Sequence, residues 1–115
     1  LSGKYLDGSR PAGFRRFREP FRGSSFEVLR PVVMVLKMIG DRYGKSPGQV
    51  ALRWLLEHDN VVPIPGAKNA DQATHNAGAL SFTLTAEEIA YLNEATKAFR
   101  TYSPLREKVN RLAGR

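Results

Sequence analysis

The chain has 115 residues, which is the usual size of one domain, and 42% of them are hydrophobic, so a buried core is possible. It contains no cysteine and no run of 18 apolar residues, which excludes disulfide frameworks, cysteine-based metal sites and a membrane-spanning segment. The net charge of +7 is concentrated in residues 1–30 and 97–115, and this pattern indicates either solvated ends or an anionic partner such as a phosphorylated cofactor, a nucleic acid or an acidic protein surface.

The first part of the chain predicts a long loop. Residues 6–23 are rich in Gly, Pro and Arg and show no apolar periodicity. Loops of this length within compact domains are usually functional or disordered.

A helix is predicted from about residue 26 to residue 43. Ser24 and Glu27 have the spacing of a capping box, and Gly44 follows the last periodic residue. Its apolar stripe consists of Val28, Val32, Val35, Leu36, Ile39 and Tyr43.

A second helix is predicted over residues 47–58. Ser46 and Gln49 form another capping box, in which Ser46 is the N-cap residue. Trp54 lies among Leu and Val at helical spacing, so we interpret it as a core residue and not as a residue that stacks on a cofactor.

Residues 61–64, Val-Val-Pro-Ile, predict a short strand buried on both faces of a parallel sheet. Such a strand needs neighbours on both sides, and we find no other convincing strand. The chain also begins at Leu1 without an initiator methionine. We therefore expect a fragment of a larger α/β protein, whose other strands or partner chains cover this segment.

Two more helices follow the strand. Asn69 is a natural N-cap for a helix over about 70–78, and Thr85 with Glu88 caps a helix over about 86–98.

The Pro-Gly turn after the strand suits a phosphate group. The N–H groups at a helix start point outward, the helix dipole favours an anion, and Lys68 adds a positive charge. Gln72 and Asn76 share one face of the helix at i,i+4 spacing.

A longer string makes this turn specific. The sequence Ile-Pro-Gly-Ala-Lys-Asn-Ala-Asp-Gln-Ala at 64–73, followed by Asn-Ala-Gly-Ala-Leu at 76–80, resembles the eighth strand and following helix of the aldo-keto reductases. Ser2-Gly3-Lys4-Tyr5 resembles the stretch after the seventh strand of that family. The resemblance covers residues 1–97 and looks closest to plant chloroplast and cyanobacterial members.

This resemblance implies an α/β fold class, namely the C-terminal fragment of a (β/α)8 TIM barrel, mostly helical as an isolated chain and with one strand. It divides the chain into a cofactor loop after strand 7 (1–25), helices (26–58), strand 8 with the nucleotide-binding helix (61–80), a terminal helix (85–98) and a tail (99–115).

The resemblance also implies NADPH as cofactor. Ser2, Gly3 and Lys4 would contact the pyrophosphate, and one of the loop arginines Arg15, Arg16 and Arg18 would clamp a phosphate. The 2′-phosphate would lie at Gly66, Ala67, Lys68 and Asn69, and the adenine beside Gln72 and Asn76. His75 departs from the family pattern, in which a glutamate or similar acceptor is common.

No catalytic residue of the family is expected in this chain, because the catalytic Tyr, Lys, Asp and His precede the seventh strand. The function implied is the NADPH-binding part of an enzyme that reduces aldehydes or ketones by hydride transfer. The implied compartment is the cytoplasm or the plastid stroma.

The sequence is also compatible with two other functions. A non-catalytic structural or interaction subunit would bury the orphan strand against partners and dock its basic ends on acidic surfaces. Nucleic-acid binding by arginines interleaved with Phe14, Phe17 and Phe21 ranks last, because no recognition motif accompanies the charge. No metal-binding spacing is found.

Overall fold

The computed structural model describes residues 25–101 and 112, with side chains for 27–97 and 112. The predicted long loop, the Ser24 cap and most of the tail lie outside these residues. The described part consists of helices α1 (Ser25–Tyr43), α2 (Pro47–Leu56), α3 (Ala70–Ala77) and α4 (Ala86–Thr101), with a 3₁₀ turn at Gly78–Leu80. Each of the four predicted helices is confirmed to within three residues at either end.

Three predicted N-caps are present. In α2, Ser46 Oγ accepts the Gln49 N–H at 3.2 Å and Gln49 Oε1 accepts the Ser46 N–H at 3.0 Å, so both bonds of the capping box form. Thr85 and Glu88 make the same pair at 3.2 and 2.9 Å. Asn69 caps α3. Short-range hydrogen bonds therefore set where these helices begin.

Gly44 ends α1 in the left-handed conformation, with φ of +63°. The Lys45 N–H then returns to the Gly40 carbonyl at 2.9 Å, which is the 6→1 bond of a Schellman motif. This turn reverses the chain, so that α2 packs back against α1.

The core lies where α1 meets α2 and α4. Four apolar side chains are fully buried, namely Leu36, Ile39, Val50 and Leu92. Trp54 packs against this cluster and is half-buried, and its indole N–H donates to Asn93 Oδ1 at 3.1 Å. The interpretation of Trp54 as a core residue is thereby confirmed.

Glu88 joins α4 to α1 through a polar cluster. Its carboxylate accepts hydrogen bonds from the Tyr43 hydroxyl at 2.8 Å and from Arg42 Nη1 at 3.3 Å, besides the Thr85 N–H. Burial alone would raise the pKa of Glu88, but these donors outweigh it and lower the pKa below its ordinary value. The same hydrogen bond, with burial and the carboxylate's charge, raises the pKa of Tyr43.

The predicted strand at 61–64 is not formed: residues 61–67 have no regular secondary structure, and no strand occurs in 25–101. Val62 and Ile64 are 84% and 94% exposed instead of buried. A strand exists only when its backbone is paired, and no second strand occurs in residues 25–101 to pair with it. The prediction of one strand in this chain is therefore wrong for the described structure.

No helix in the described part of the chain has both the length and the apolar character needed to cross a bilayer.

Candidate nucleotide-binding site

The segment before α3 forms a hydrogen-bonded turn. Asn69 Oδ1 accepts the Gln72 N–H at 2.9 Å, and Gln72 Oε1 accepts the Lys68 N–H at 2.8 Å. Asn69 thus caps α3, and Gln72 holds the backbone of Lys68, the residue before the cap. A turn fixed in this way keeps Lys68 at the helix start, where the positive end of the helix dipole also lies.

Asn76 connects the far end of α3 to the same turn. Its Nδ2 donates to the Gly66 carbonyl at 3.3 Å, across ten positions of sequence. The structure therefore brings together Gly66, Lys68, Asn69, Gln72 and Asn76 in one hydrogen-bonded unit, with Ala67 between them.

This unit faces solvent. All of its members are exposed except Asn76, which is half-buried. Between 61 and 80 the chain has one lysine, Lys68, and one acidic residue, Asp71, which lies in the first turn of α3. The negative charge of Asp71 interacts favourably with the helix dipole but repels an anion. Lys68 therefore supplies the attraction for an anion, since no other Lys or Arg lies in this segment.

Gly66 lies in the turn that the resemblance assigns to the 2′-phosphate. In the structure a Cβ at Gly66 would have no heavy atom within 4 Å. The described part of this chain therefore does not crowd Gly66, and the position is open to a ligand.

Gln49 was predicted only as a capping residue, yet it also touches α3. It is buried, with 8% exposure, and its Nε2 donates to the His75 carbonyl at 2.6 Å. No sequence signal marks this bond, because the two residues are 26 positions apart and belong to different helices.

An apolar groove of about 360 Å³ runs between α2 and α3. Leu52 and Leu56 form one wall, Ala73 and Ala77 the other, and Pro63 and Pro65 lie along it. Asn76 and Ala67 also line it, so the groove borders the turn that was predicted to bind a nucleotide.

The other predicted cofactor contacts, at Ser2, Gly3, Lys4 and the loop arginines, lie outside the described residues. Within the described residues, no group of three or more His, Asp or Glu side chains is arranged to hold a metal ion.

Comparison with known proteins agrees with the resemblance drawn from 61–80. The model of the aldo/keto reductase family matches residues 1–97. An uncharacterized oxidoreductase of Mycobacterium tuberculosis is 35% identical over 118 residues, covering 96% of this chain and 36% of its own length. The aldo-keto reductase str7 of Strobilurus tenacellus is 39% identical over 93 residues, covering 78% of this chain and 28% of its own length.

The chloroplastic pyridoxal reductase of Arabidopsis thaliana is 36% identical over 99 residues, covering 84% of this chain and 26% of its own length. This chain therefore spans about a quarter to a third of the length of these relatives. No solved structure gives a significant match. Because the family model matches most of the chain, and does so over the segment that carries the turn and α3, the chain belongs to the aldo/keto reductase family.

Proposed function

We propose that the turn at 66–69 and helix α3 bind the adenosine 2′-phosphate end of NADPH, in a protein that reduces an aldehyde or ketone. The family consists of oxidoreductases that depend on NAD(P)H and implies a (β/α)8 barrel. Within that barrel, this chain would be the C-terminal part. NADPH supplies the hydride when bound, and the residues of this chain bind and orient its nucleotide end.

The observation that carries the proposal is the hydrogen-bonded unit around Lys68. The backbone N–H groups of Lys68 and Gln72 are already hydrogen-bonded to side chains, which orders the turn. The Lys68 side chain itself is exposed beside the helix start. A phosphate placed there meets one full positive charge and the helix dipole. A nicotinamide cofactor without the 2′-phosphate would gain nothing from this charge.

Gln72 and Asn76 extend the site along one face of α3. The Asn76 amide already donates to Gly66 through Nδ2, so its Oδ1 is directed by that bond and is able to accept a hydrogen bond from a base. The space beside Gly66 is open in the described structure. These features fit a flat heterocycle lying next to the turn.

The test is Lys68→Ala in the protein at its natural length. Opposite charges about 4 Å apart attract by about 1 kcal/mol in water and more near a protein surface, so removing Lys68 should weaken NADPH binding about tenfold. KM for NADPH should rise by that factor, while KM for NADH should barely change. Lys37→Ala removes an exposed lysine on α1 and is the matched control.

Equal effects of Lys68→Ala on NADPH and NADH would contradict the 2′-phosphate assignment. A set of aldehydes and ketones that includes pyridoxal serves for turnover, because one relative is named for that substrate.

A non-catalytic subunit remains a second candidate because one observation favours it. Val62 and Ile64 are almost fully exposed in the described structure, and neighbouring exposed apolar side chains are typical of a surface that other residues cover. Under the enzyme proposal, parallel strands of the same protein do so, and the purified protein should turn over carbonyl compounds alone. A protein that binds no NADPH, and whose amides at 61–64 exchange slowly only when a second protein is bound, would support the interaction subunit.

A further inference from the structure

Helix α3 is held in an unusual way for an element that carries a binding site. It is eight residues long and has no buried residue. Isolated helices shorter than about 12 residues are marginal in water, and most helices in proteins are stabilised by packing of an apolar face. The position of α3 must therefore depend on contacts at its ends.

At its carboxyl end, α3 is tied to α2 by Gln49. The Gln49 amide is buried and hydrogen-bonded through both of its heavy atoms, since Oε1 accepts the Ser46 N–H and Nε2 donates to the His75 carbonyl. At 2.6 Å, the bond to His75 joins a side chain of α2 to a backbone carbonyl of α3. A buried amide whose oxygen and nitrogen both make hydrogen bonds has little freedom to rotate.

Gly78 lies against the Gln49 amide and leaves room for this contact. A Cβ on Gly78 would lie 2.3 Å from Gln49 Nε2, so a larger residue at position 78 would require the Gln49 amide to shift. Next to this contact, Lys45 Nζ donates to Ser81 Oγ at 2.6 Å, and Ser81 Oγ donates to the Gly78 carbonyl at 2.9 Å. Two side-chain contacts, Gln49–His75 and Lys45–Ser81, therefore join the chain around the start of α2 to the chain around the end of α3.

We infer that Gln49 is a positioning residue for the nucleotide site: by holding the His75 carbonyl, it fixes α3 so that Gln72 and Asn76 face the turn at 66–69. The inference rests on the proposed NADPH site. His75 lies one residue before Asn76 and three after Gln72, so a movement of its carbonyl is passed directly to both side chains. Gln49 itself does not reach the turn.

Variants can separate the tie to α3 from the cap of α2. Gln49→Glu keeps an acceptor for the Ser46 N–H, since Glu is also a capping-box residue, but it loses the donor to His75. Gln49→Met is neutral and loses both bonds. Ser46→Ala weakens the cap and leaves the Gln49–His75 bond, so it is the matched control.

The measurements are the Kd of NADPH from protein fluorescence, kcat and KM with a carbonyl substrate, and amide hydrogen exchange of residues 70–77, all in the natural-length protein. One net hydrogen bond corresponds to roughly a two- to tenfold change in binding. Both Gln49 variants should therefore raise the Kd and KM for NADPH about fivefold, speed exchange in α3 and leave kcat at saturating NADPH within twofold. Ser46→Ala should lower thermal stability and leave the Kd unchanged.

Two results would overturn the inference. One is an unchanged Kd in Gln49→Glu and Gln49→Met while Lys68→Ala still weakens NADPH binding, which leaves the cofactor site standing. The other is an equal rise of the Kd in Ser46→Ala, which would show that general loosening of α2 is responsible. If Lys68→Ala also has no effect, the proposed site itself has failed.

Discussion

Glu88 allows a sharp test of how α4 is fixed to α1. Its side chain is only 6% exposed, and it accepts hydrogen bonds from Tyr43, Arg42 and the Thr85 N–H. The change Glu88→Gln keeps the size of the side chain and one amide oxygen for the cap, but removes the charge. Glu87→Gln makes the same chemical change at the exposed neighbouring position and is the control.

The expected loss of unfolding free energy in Glu88→Gln follows from the hydrogen bonds that Glu88 makes. A hydrogen bond to a charged group contributes about 1.5–3 kcal/mol, and the Tyr43 hydroxyl makes one such bond at 2.8 Å. The Arg42 side chain is 64% exposed, so solvent screens its ion pair and it adds less than about 1 kcal/mol. Because Gln still accepts one bond, we expect Glu88→Gln to lower the free energy of unfolding by about 1–2 kcal/mol at pH 7.

The destabilisation caused by Glu88→Gln should depend on pH. The pKa of Glu88 is lowered in the folded state, so its contribution is complete above the ordinary carboxyl pKa of 4.5 and is lost as the pH falls through the lowered folded value. The difference in free energy of unfolding between the wild type and Glu88→Gln should therefore be constant near neutral pH and shrink in acid. Urea unfolding of the natural-length protein, followed by circular dichroism at several pH values, measures it.

A difference that stays constant into strong acid would refute this reasoning, since the charge of Glu88 would then not be responsible. The same holds if Glu87→Gln is as destabilising as Glu88→Gln. Tyr43 provides a check at alkaline pH. Its raised pKa means that the phenol stabilises the fold below its ordinary value of 10.0 and that this contribution is lost as the pH rises through the raised folded value.

Two further predictions concern the core and the turn after α1. Leu92 is fully buried, so Leu92→Ala should lower the free energy of unfolding, measured in urea, by about 2–5 kcal/mol. Leu80→Ala, at a position 69% exposed, should change it by less than about 0.5 kcal/mol. Comparable losses in the two variants would contradict the placement of the core. Gly44 has a φ of +63°, so Gly44→Ala should lower the free energy of unfolding by about 1–2 kcal/mol, although a Cβ there has nothing within 4 Å. Gly66→Ala, equally open but without a positive φ, should lower it clearly less. Equal losses would show that the left-handed conformation is not the reason.

Much of the local structure could be predicted because its causes are close together in sequence. The capping pairs Ser46–Gln49 and Thr85–Glu88 act across three residues, so their hydrogen bonds depend only on neighbouring sequence. The turn at Lys68 and Asn69 was predictable for the same reason. The resemblance of 61–80 to one family was also a matter of local sequence, and the family match confirms it.

The second roles of the same residues could not be predicted. Glu88 and Gln49 were predicted as caps, but their bonds to Tyr43 and to the His75 carbonyl join residues 45 and 26 positions apart. Nothing in a capping pattern says what the rest of a side chain will meet. The missing strand at 61–64 has a related cause, because its apolar run shows a preference that only paired neighbours can satisfy.

The amino-acid sequence by itself determined where the helices begin and end, which faces are apolar, and the family to which the chain belongs, because these depend on residues a few positions apart. Only the tertiary structure decided that Gln49 would hold α3, that Glu88 would join α4 to α1, and that residues 61–64 have no pairing partner within the described part of the chain. These outcomes require groups that are distant in sequence to meet, and whether they meet depends on how whole helices pack.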